Sequence, residues 1–279
     1  MSHTPTQTPD QSQIWNGPAG HAWVEAQSVL DEMFSEIAEF LTAQAKELGA
    51  HDVLDVGCGA GATTLQIAEA TGRCLGVDVS APLIALARER AEASGALAAF
   101  IHDDAQTHAF DRTRFDLVVS RFGVMFFQDP IAAFSNLLRT TRPGGALRLV
   151  VWRSAAENTF LTTAERAVEH MLPDLTRRRD GVVGPFAFAD PQTVAPLLET
   201  AGWAHVAFKP VDFDASFSAE ALELYMTRLG AVGLVYKELE PRLQAALLAG
   251  LRKAYEPFRT GHQIRFKAAC WVIEAEAPA

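Results

Sequence analysis

The sequence predicts an α/β fold in which helices cover both faces of a doubly wound parallel sheet. Short apolar segments alternate with helical segments through residue 152, and a glycine-rich turn follows the first apolar segment. Such alternation is typical of parallel sheets, because each strand returns through a crossover helix. The chain has 279 residues, which is room for one domain with insertions. We therefore expect a single domain over 1–279.

The first half of the chain supplies five strands and four helices. Helical periodicity predicts helices at 29–48, 62–70, 81–93 and 130–140. Short apolar runs predict strands at 52–57, 74–78, 97–102, 115–119 and 146–152. Gly72 is expected to end the second helix, and Ser80 to cap the third.

After Trp152 the alternation stops, which indicates insertions. Further helices are predicted at 190–201, 218–229 and 240–255, and strands at 204–210 and 263–274. The last two strands are expected to extend the sheet. Residues 153–189 and 216–262 are expected to form a helical cap over one end, while the polar residues 1–12 are expected to be mobile.

Composition excludes several classes of protein. The net charge is −10, whereas nucleic-acid binders usually carry a basic patch. The run Arg177 to Arg179 is interpreted as a solvated helix end or loop. We find neither a secretory signal nor an apolar run long enough to span a membrane. Three scattered cysteines indicate a reducing, cytoplasmic location.

The segment 54–61 is the strongest chemical signal. Its glycines lie between a strand and a helix, where they allow a sharp turn and the close approach of a ligand. Gly57, Gly59 and Ala62 also fit the fingerprint of nicotinamide and flavin enzymes. Asp78 ends the second strand 21 residues after Gly57, where a carboxylate can bind ribose hydroxyls in either class of enzyme.

Three further features favour S-adenosylmethionine over a dinucleotide. Asp55 lies at the end of the first strand, and Gly61 adds a third glycine. The segment 102–105 follows the third strand and offers a carboxylate to an adenine amino group. Strand, glycine loop, ribose acid and adenine acid in this order form a more specific set than any one of them.

Segments 53–61, 77–80, 103–105, 115–120 and 138–145 resemble successive motifs of class I S-adenosylmethionine-dependent methyltransferases. They are most similar to the small-molecule branch that includes the ubiquinone- and menaquinone-biosynthesis methyltransferases. The resemblance covers 50–152, the cofactor-binding core, and extends loosely to the last two strands. It implies a Rossmann-like sheet of seven strands, the last antiparallel, with the cap inserted after strand five.

The resemblance also implies how the methionine half of the cofactor is held. Gly57 and Gly59 would lie against it, and Asp55 would orient the loop and the amino group. Ser120 and Arg121 would border the methionine tail and the reacting methyl group. Segment 1–27 would be a flexible N-terminus with a lid over the cofactor.

For the nucleoside half, the resemblance implies contacts from the second and third strands. Asp78 would bind the ribose, and Val79 would pack on the adenine face. Asp104 would meet the adenine amino group, with Ala105 supplying backbone. Asp103 is the alternative to Asp104.

Purely structural roles are the alternatives for three of these residues. Asp55 could cap the following helix, and Arg121 could pair with Asp116 or Asp129 instead of contacting cofactor. Cys58 is interpreted as filler in a tight turn.

The sequence does not identify a catalytic base, and it offers no metal site. His21 and His170 are candidates, although each is more simply explained as a surface or structural histidine. Glu157 and Asn158 follow the fifth strand and could face an acceptor.

The cap indicates a small-molecule acceptor. Its aromatic and aliphatic residues would give a pocket with apolar walls, which favours a lipophilic or aromatic acceptor methylated at oxygen, nitrogen or carbon. A homodimer face remains the alternative for Leu222, Leu224, Met226 and Leu229. Two rival functions stay open: a non-catalytic partner or sensor that binds S-adenosylmethionine, and, with less support, an NAD-dependent oxidoreductase.

Overall fold

A computed structural model describes residues 10–175 and 180–279, and the structural findings below concern these residues. The first nine residues of the predicted flexible terminus and the basic run Arg177 to Arg179 lie outside them.

One mixed sheet runs through the molecule. Its strands are β1 (Val53–Val56), β2 (Cys74–Asp78), β3 (Ala98–His102), β4 (Phe115–Arg121), β5 (Thr141–Trp152), β6 (Ala204–Ser218), β7 (Arg259–Thr260) and β8 (Gln263–Glu276). The order is β3-β2-β1-β4-β5-β8-β6, with the two-residue β7 paired to β8. β1 to β5 pair in parallel, whereas β8 runs antiparallel to both β5 and β6. The predicted α/β sheet with seven long strands and an antiparallel last strand is confirmed.

Helices cover both faces of the sheet and one end. They are α1 (Gln11–Asn16), α2 (Pro18–Glu25), α3 (Gln27–Met33), α4 (Ser35–Glu47), α5 (Ala62–Thr71), α6 (Ala81–Ser94), α7 (Pro130–Thr140), α8 (Thr159–Val168), α9 (Pro191–Thr200), α10 (Leu222–Arg228), α11 (Gly230–Tyr236) and α12 (Pro241–Tyr255). Among the described residues, no helix has the length and apolar character that crossing a membrane requires.

Several boundaries differ from the prediction. β5 begins at Thr141, five residues before the predicted start, and α10 begins at Leu222 where a helix was expected from 218. The helix expected at 29–48 is two helices that meet at Phe34, whose buried ring packs against Phe122 and Trp152. β6 runs eight residues further than expected, because it pairs with β8 along its length. Its last residues, 216–218, were expected in the cap. Gln11 and Ser12 were expected in a mobile terminus but begin α1, because the carboxylate of Asp10 accepts the Ser12 N–H at 2.9 Å.

The cap is formed by α8, α10, α11 and α12 around an aromatic cluster. Phe160 stacks on Phe266 with 3.9 Å between ring centroids and contacts Tyr225 and Tyr255 edge-on or tilted. Such rings bury large apolar areas, so the cluster holds the cap against β8. Of the four residues considered for a homodimer face, Leu222, Met226 and Leu229 are buried within the chain itself and Leu224 is half-buried. A homodimer stays a prediction.

Candidate active site

A cavity of about 790 Å³ opens at the carboxyl ends of β1, β2, β3 and β4. Its wall includes the glycine loop, the acids that follow the strands, the N-terminal helices and part of the cap. Ligands in open α/β sheets bind at this edge. The structure therefore brings the predicted segments together around one space.

The glycine loop forms the floor of the cavity. Gly57 has a φ of +68°, and a side chain there would place its Cβ 2.5 Å from the Cα of Gly123. Gly59 has a φ of +55° and meets no described atom within 4 Å of an added Cβ. Gly57 is therefore required by packing between two loops. Gly59 presents open backbone to the cavity.

The carboxylate of Asp78 braces this loop. One oxygen accepts the N–H of Gly59 at 2.8 Å, and the other accepts the N–H of Ser80 at 2.8 Å. Burial raises the pKa of Asp78, and the two backbone hydrogen bonds oppose that rise. Each oxygen keeps a lone pair, so the carboxylate can hold the loop and accept hydrogen bonds from a ligand at once.

Asp55 lies beneath the loop and is 1% exposed. Its carboxylate accepts the hydroxyl proton of Thr64 at 2.6 Å. Burial raises its pKa to about 6; the Thr64 hydrogen bond and the charge of Arg121 lower it, and the charge of Asp78 raises it further. The alternative role as a helix cap receives part support, since Thr64 lies in the first turn of α5, yet Asp55 also lines the cavity.

The acids after β3 differ in their partners. Asp103 pairs with His108 at 2.7 Å, and this hydrogen bond is the main reason that its pKa is lowered. The carboxylate of Asp104 accepts only the Gln106 N–H, at 2.9 Å, among the hydrogen bonds of the described residues. Asp104 is thus the freer carboxylate. The neighbouring Ala105 is buried in the wall.

The two residues at the end of β4 have different surroundings. Ser120 is fully buried behind the wall: its hydroxyl donates to the Val56 carbonyl at 2.7 Å and accepts the Gly123 N–H at 3.1 Å. Ser120 thus ties two loops together instead of facing the cavity. Arg121 lines the cavity and lies over the Phe34 ring, 5.7 Å from its centroid. Burial lowers the pKa of Arg121.

Neither proposed ion pair of Arg121 forms. Asp116 accepts backbone N–H groups of His51 and Asp52 and pairs with Arg142. Asp129 caps α7. Among the described residues, Arg121 has no carboxylate within salt-bridge distance.

The N-terminal helices contribute contacts that sequence reasoning did not find. The Asn16 amide donates to the Val79 carbonyl and accepts the Ala81 N–H, both at 2.8 Å. Ser80, expected to cap α6 with its side chain, instead donates its hydroxyl to the Trp15 carbonyl at 2.8 Å. The N-terminal segment is therefore docked on the loop after β2. Its role as a lid stays a prediction.

An aromatic wall faces the glycine loop. Phe122 has a φ of +66° and stacks on Trp152 with 4.2 Å between centroids. Trp15 contacts Trp23 and Phe126 edge-to-face. These five rings line the cavity together with cap residues. Aromatic and apolar walls are typical of small-molecule sites.

The candidate bases lie elsewhere. His21 and His170 are exposed and do not line the cavity. Glu157 pairs with Arg153 and Ser154, and Asn158 is buried against the backbone of Ala269.

A charged pair that the sequence did not reveal lies in the wall instead. The carboxylate of Asp31 pairs with Arg90 at 2.6 Å, and Asp31 lines the cavity. Cys58 is buried, and burial raises the pKa of its thiol, as expected for filler.

Comparison with known proteins identifies the core. A family model described as a methyltransferase domain matches residues 53–145. A demethylmenaquinone methyltransferase of Thermus thermophilus is 28% identical over 161 residues, covering 54% of this chain and 73% of the relative. A nocamycin O-methyltransferase of Saccharothrix syringae is 29% identical over 236 residues, covering 79% and 83%.

Other matches are shorter or concern the fold. The chain spans 44% of the length of an uncharacterized Mycobacterium tuberculosis protein to which it is 31% identical. The solved structure of the [4+2]-cyclase SpnF superposes with a TM-score of 0.59 over 98% of this chain and 97% of the cyclase, at 18% identity. The structural match supports the fold.

Proposed function

The chain belongs to the class I S-adenosylmethionine-dependent methyltransferases, and we propose that it transfers the cofactor's methyl group to a small lipophilic or aromatic acceptor. Bound S-adenosylmethionine supplies a methyl group already activated on a sulfonium. The observation that carries the proposal is that one cavity joins the glycine loop and its acids to an aromatic wall. Donor and acceptor would then share a space partly closed to water.

The residues of the cavity fit the cofactor. The backbone at Gly59 leaves open the space that a side chain would fill. The hydroxyl oxygen of Thr63 is buried in the same wall with no hydrogen-bond partner among the described residues. A buried hydroxyl without a partner is costly, so a ligand with polar groups at this end of the cavity would satisfy it.

Each predicted contact has a supporting feature. Asp78 keeps lone pairs for ribose hydroxyls, and Asp104 is better placed than Asp103 to accept from an adenine amino group because it has no ion pair. Val79 lines the cavity between them. In the proposed site, Ala105 supplies backbone and wall at the adenine end.

The methionine end would be held at the loop and β4. Gly57, Gly59, Asp55 and Arg121 all border the cavity. Arg121 brings a cation that has no carboxylate within salt-bridge distance among the described residues, which suits it to the carboxylate of a ligand. Ser120 would act indirectly, by holding the backbone of Val56.

The mouth of the cavity supports a lipophilic acceptor. Val182 and Leu234 are 57% and 41% exposed, and both line the cavity. Exposed apolar side chains at the rim of a pocket mark a surface that an apolar ligand can cover. In the proposed complex, the reacting part of the acceptor lies on the aromatic wall and its apolar remainder leaves between these two residues.

Calorimetric titration with S-adenosylmethionine, and separately with NADH, tests the cofactor. We expect saturable binding of the first alone. A panel of aromatic and lipophilic acceptors is then assayed for formation of S-adenosylhomocysteine. Cofactor binding without turnover on any acceptor would favour the non-catalytic partner or sensor, and binding of NADH alone would refute the proposal.

A rim variant tests the character of the acceptor. Leu234→Gln is expected to raise the KM for a long apolar acceptor and to leave cofactor affinity unchanged. Leu97→Gln is the matched control, because Leu97 is exposed but lies away from the cavity. Equal KM values for wild type and L234Q would remove the support that the rim provides.

A further inference from the structure

Asp31 stands where the glycine loop meets the aromatic wall. It lies on α3, three residues before Phe34, and both residues line the cavity. Arg90 of α6 reaches it from the other side: one guanidinium nitrogen contacts Asp31 at 2.6 Å, and the second donates to the Ala60 carbonyl of the glycine loop at 2.6 Å. One arginine therefore fixes this carboxylate relative to the loop.

The two oxygens of the carboxylate are used differently. Oδ2 accepts from both Arg90 and the amide of Gln27. No hydrogen bond or ion pair within the described parts of the chain engages Oδ1. A carboxylate oxygen without a donor, on a side chain already held by two others, is ready to accept a proton or a hydrogen bond from a ligand.

The remaining carboxylates of the wall are occupied in other ways. Asp78 braces two backbone N–H groups, Asp103 pairs with His108, and Asp10 caps α1. Asp104 accepts the Gln106 N–H and, in the proposed site, the adenine amino group. Asp55 is buried under the loop and bonded to Thr64. No histidine described in the structure lines the cavity. Asp31 is thus the acid best disposed toward the acceptor half.

We propose that Asp31 is the catalytic proton acceptor of the methyl transfer, and that Arg90 and Gln27 are its positioning residues. The assignment rests on the proposed function, and it names the residue that takes up the acceptor's proton. The acceptor's oxygen or nitrogen attacks the methyl carbon, and the carbon–sulfur bond breaks with its electron pair going to sulfur. The acceptor's proton passes to Oδ1 of Asp31 and leaves to water after product release.

Charged side chains surround the carboxylate of Asp31. Arg90 of α6 pairs with it, and the guanidinium of Arg121 on β4 interacts electrostatically with both Asp31 and Asp55. General bases act at hydrogen-bond distance from the proton that they accept, so the place of Asp31 in the cavity wall is what suits it to this role.

The test compares wild type with Asp31→Asn on two acceptors: one found in the panel and a more acidic analogue of it, such as a fluorinated phenol. The amide keeps the shape of the side chain and can still accept from Arg90. We expect kcat for the parent acceptor to fall about 10²- to 10⁴-fold, kcat for the acidic analogue to fall far less, and the Kd for S-adenosylmethionine to change little. Glu223→Gln, which removes an exposed ion-pair partner outside the cavity, is the control and should leave kcat unchanged.

Each other outcome is decisive. An equal fall of kcat on both acceptors would assign Asp31 a structural role. A raised cofactor Kd with unchanged kcat at saturation would place it on the methionine tail. Asp31→Glu keeps a carboxylate and should therefore recover part of the lost kcat. A kcat as low as that of Asp31→Asn would contradict the proposal. Asp31→Glu also provides the test if Asp31→Asn does not fold. If wild type and D31N turned over the acceptor with the same kcat, only the assignment of Asp31 would be refuted. If wild type bound no S-adenosylmethionine, the proposed function itself would be refuted.

Discussion

Replacing Gly59 by alanine distinguishes two reasons for a glycine in this loop: its positive φ, and the close approach of a ligand to its backbone. The φ of +55° at Gly59 costs an L-residue about 1–2 kcal/mol. An added Cβ meets no described atom within 4 Å and projects into open space beside a cavity-lining backbone. Gly59→Ala should therefore fold with a modest loss of stability, and its methyl group should occupy space that the cofactor needs.

The matched control is Gly72→Ala. Gly72 has a φ of +100° and also leaves an added Cβ without neighbours within 4 Å, but it ends α5 away from the cavity. Both variants should lose about 2–4 °C of Tm for each kcal/mol of strain. Only Gly59→Ala should raise the Kd for S-adenosylmethionine, by at least about tenfold, or 1.4 kcal/mol.

Thermal unfolding of the free proteins and calorimetric titration with the cofactor measure the two effects separately. Gly57→Ala completes the series, since its Cβ would lie 2.5 Å from the Gly123 Cα, and it should destabilise the fold more than either variant. Normal cofactor affinity in a folded Gly59→Ala would refute the reasoning, because the ligand would then not approach this backbone.

Three further predictions concern the acids and the N-terminal helices. Asp78→Asn should raise the cofactor Kd about 10- to 150-fold in titration, because each charge-assisted hydrogen bond contributes about 1.5–3 kcal/mol; an unchanged Kd would contradict the ribose assignment. Burial raises the pKa of Asp55 from 3.8 to about 6, so the native state retains a proton that the unfolded chain releases between these pH values. Stability contributed by this group is present below pH 4 and lost as pH rises through 6. The free energy of unfolding of wild type, measured with urea against Asp55→Asn, should fall by about 3 kcal/mol over that window, and parallel curves would show that the carboxyl ionises normally. Asn16→Ala removes two hydrogen bonds to the loop after β2, each contributing about 0.5–1.5 kcal/mol, and should speed hydrogen exchange of residues 11–25 about tenfold; unchanged exchange would mean that other contacts hold the segment.

The elements of the sheet could be predicted because their causes are local. The run 53–56 is short, mostly apolar and followed directly by its glycine turn, so its sequence alone predicts a strand buried on both faces. The carboxyl ends of parallel strands meet at one edge, so locating Asp55 and Asp78 on strands, and Asp104 just after one, was enough to bring them to one cavity.

What could not be predicted depends on contacts between residues far apart in the sequence. Asn16 docks on a loop 63 residues away, and Asp31 meets Arg90 across 59 residues. No periodicity in either segment signals a partner, because both side chains look like ordinary polar positions on a helix. Their polarity would suit solvent equally well.

The same reasoning explains why residue type alone does not locate a base. His21 and His170 are histidines, but the elements that carry them do not place them at the cavity. A carboxylate becomes a credible base through its fixed position and one free oxygen, not through its identity. The burial of Leu30 and Met33 in the core fixes the rotation of α3, and this rotation places Asp31 at the cavity wall. Arg90 then holds the carboxylate there through an ion pair. The acceptor-side chemistry of this chain is therefore a consequence of how its N-terminal helices pack, and variants that loosen that packing should impair turnover before they impair cofactor binding.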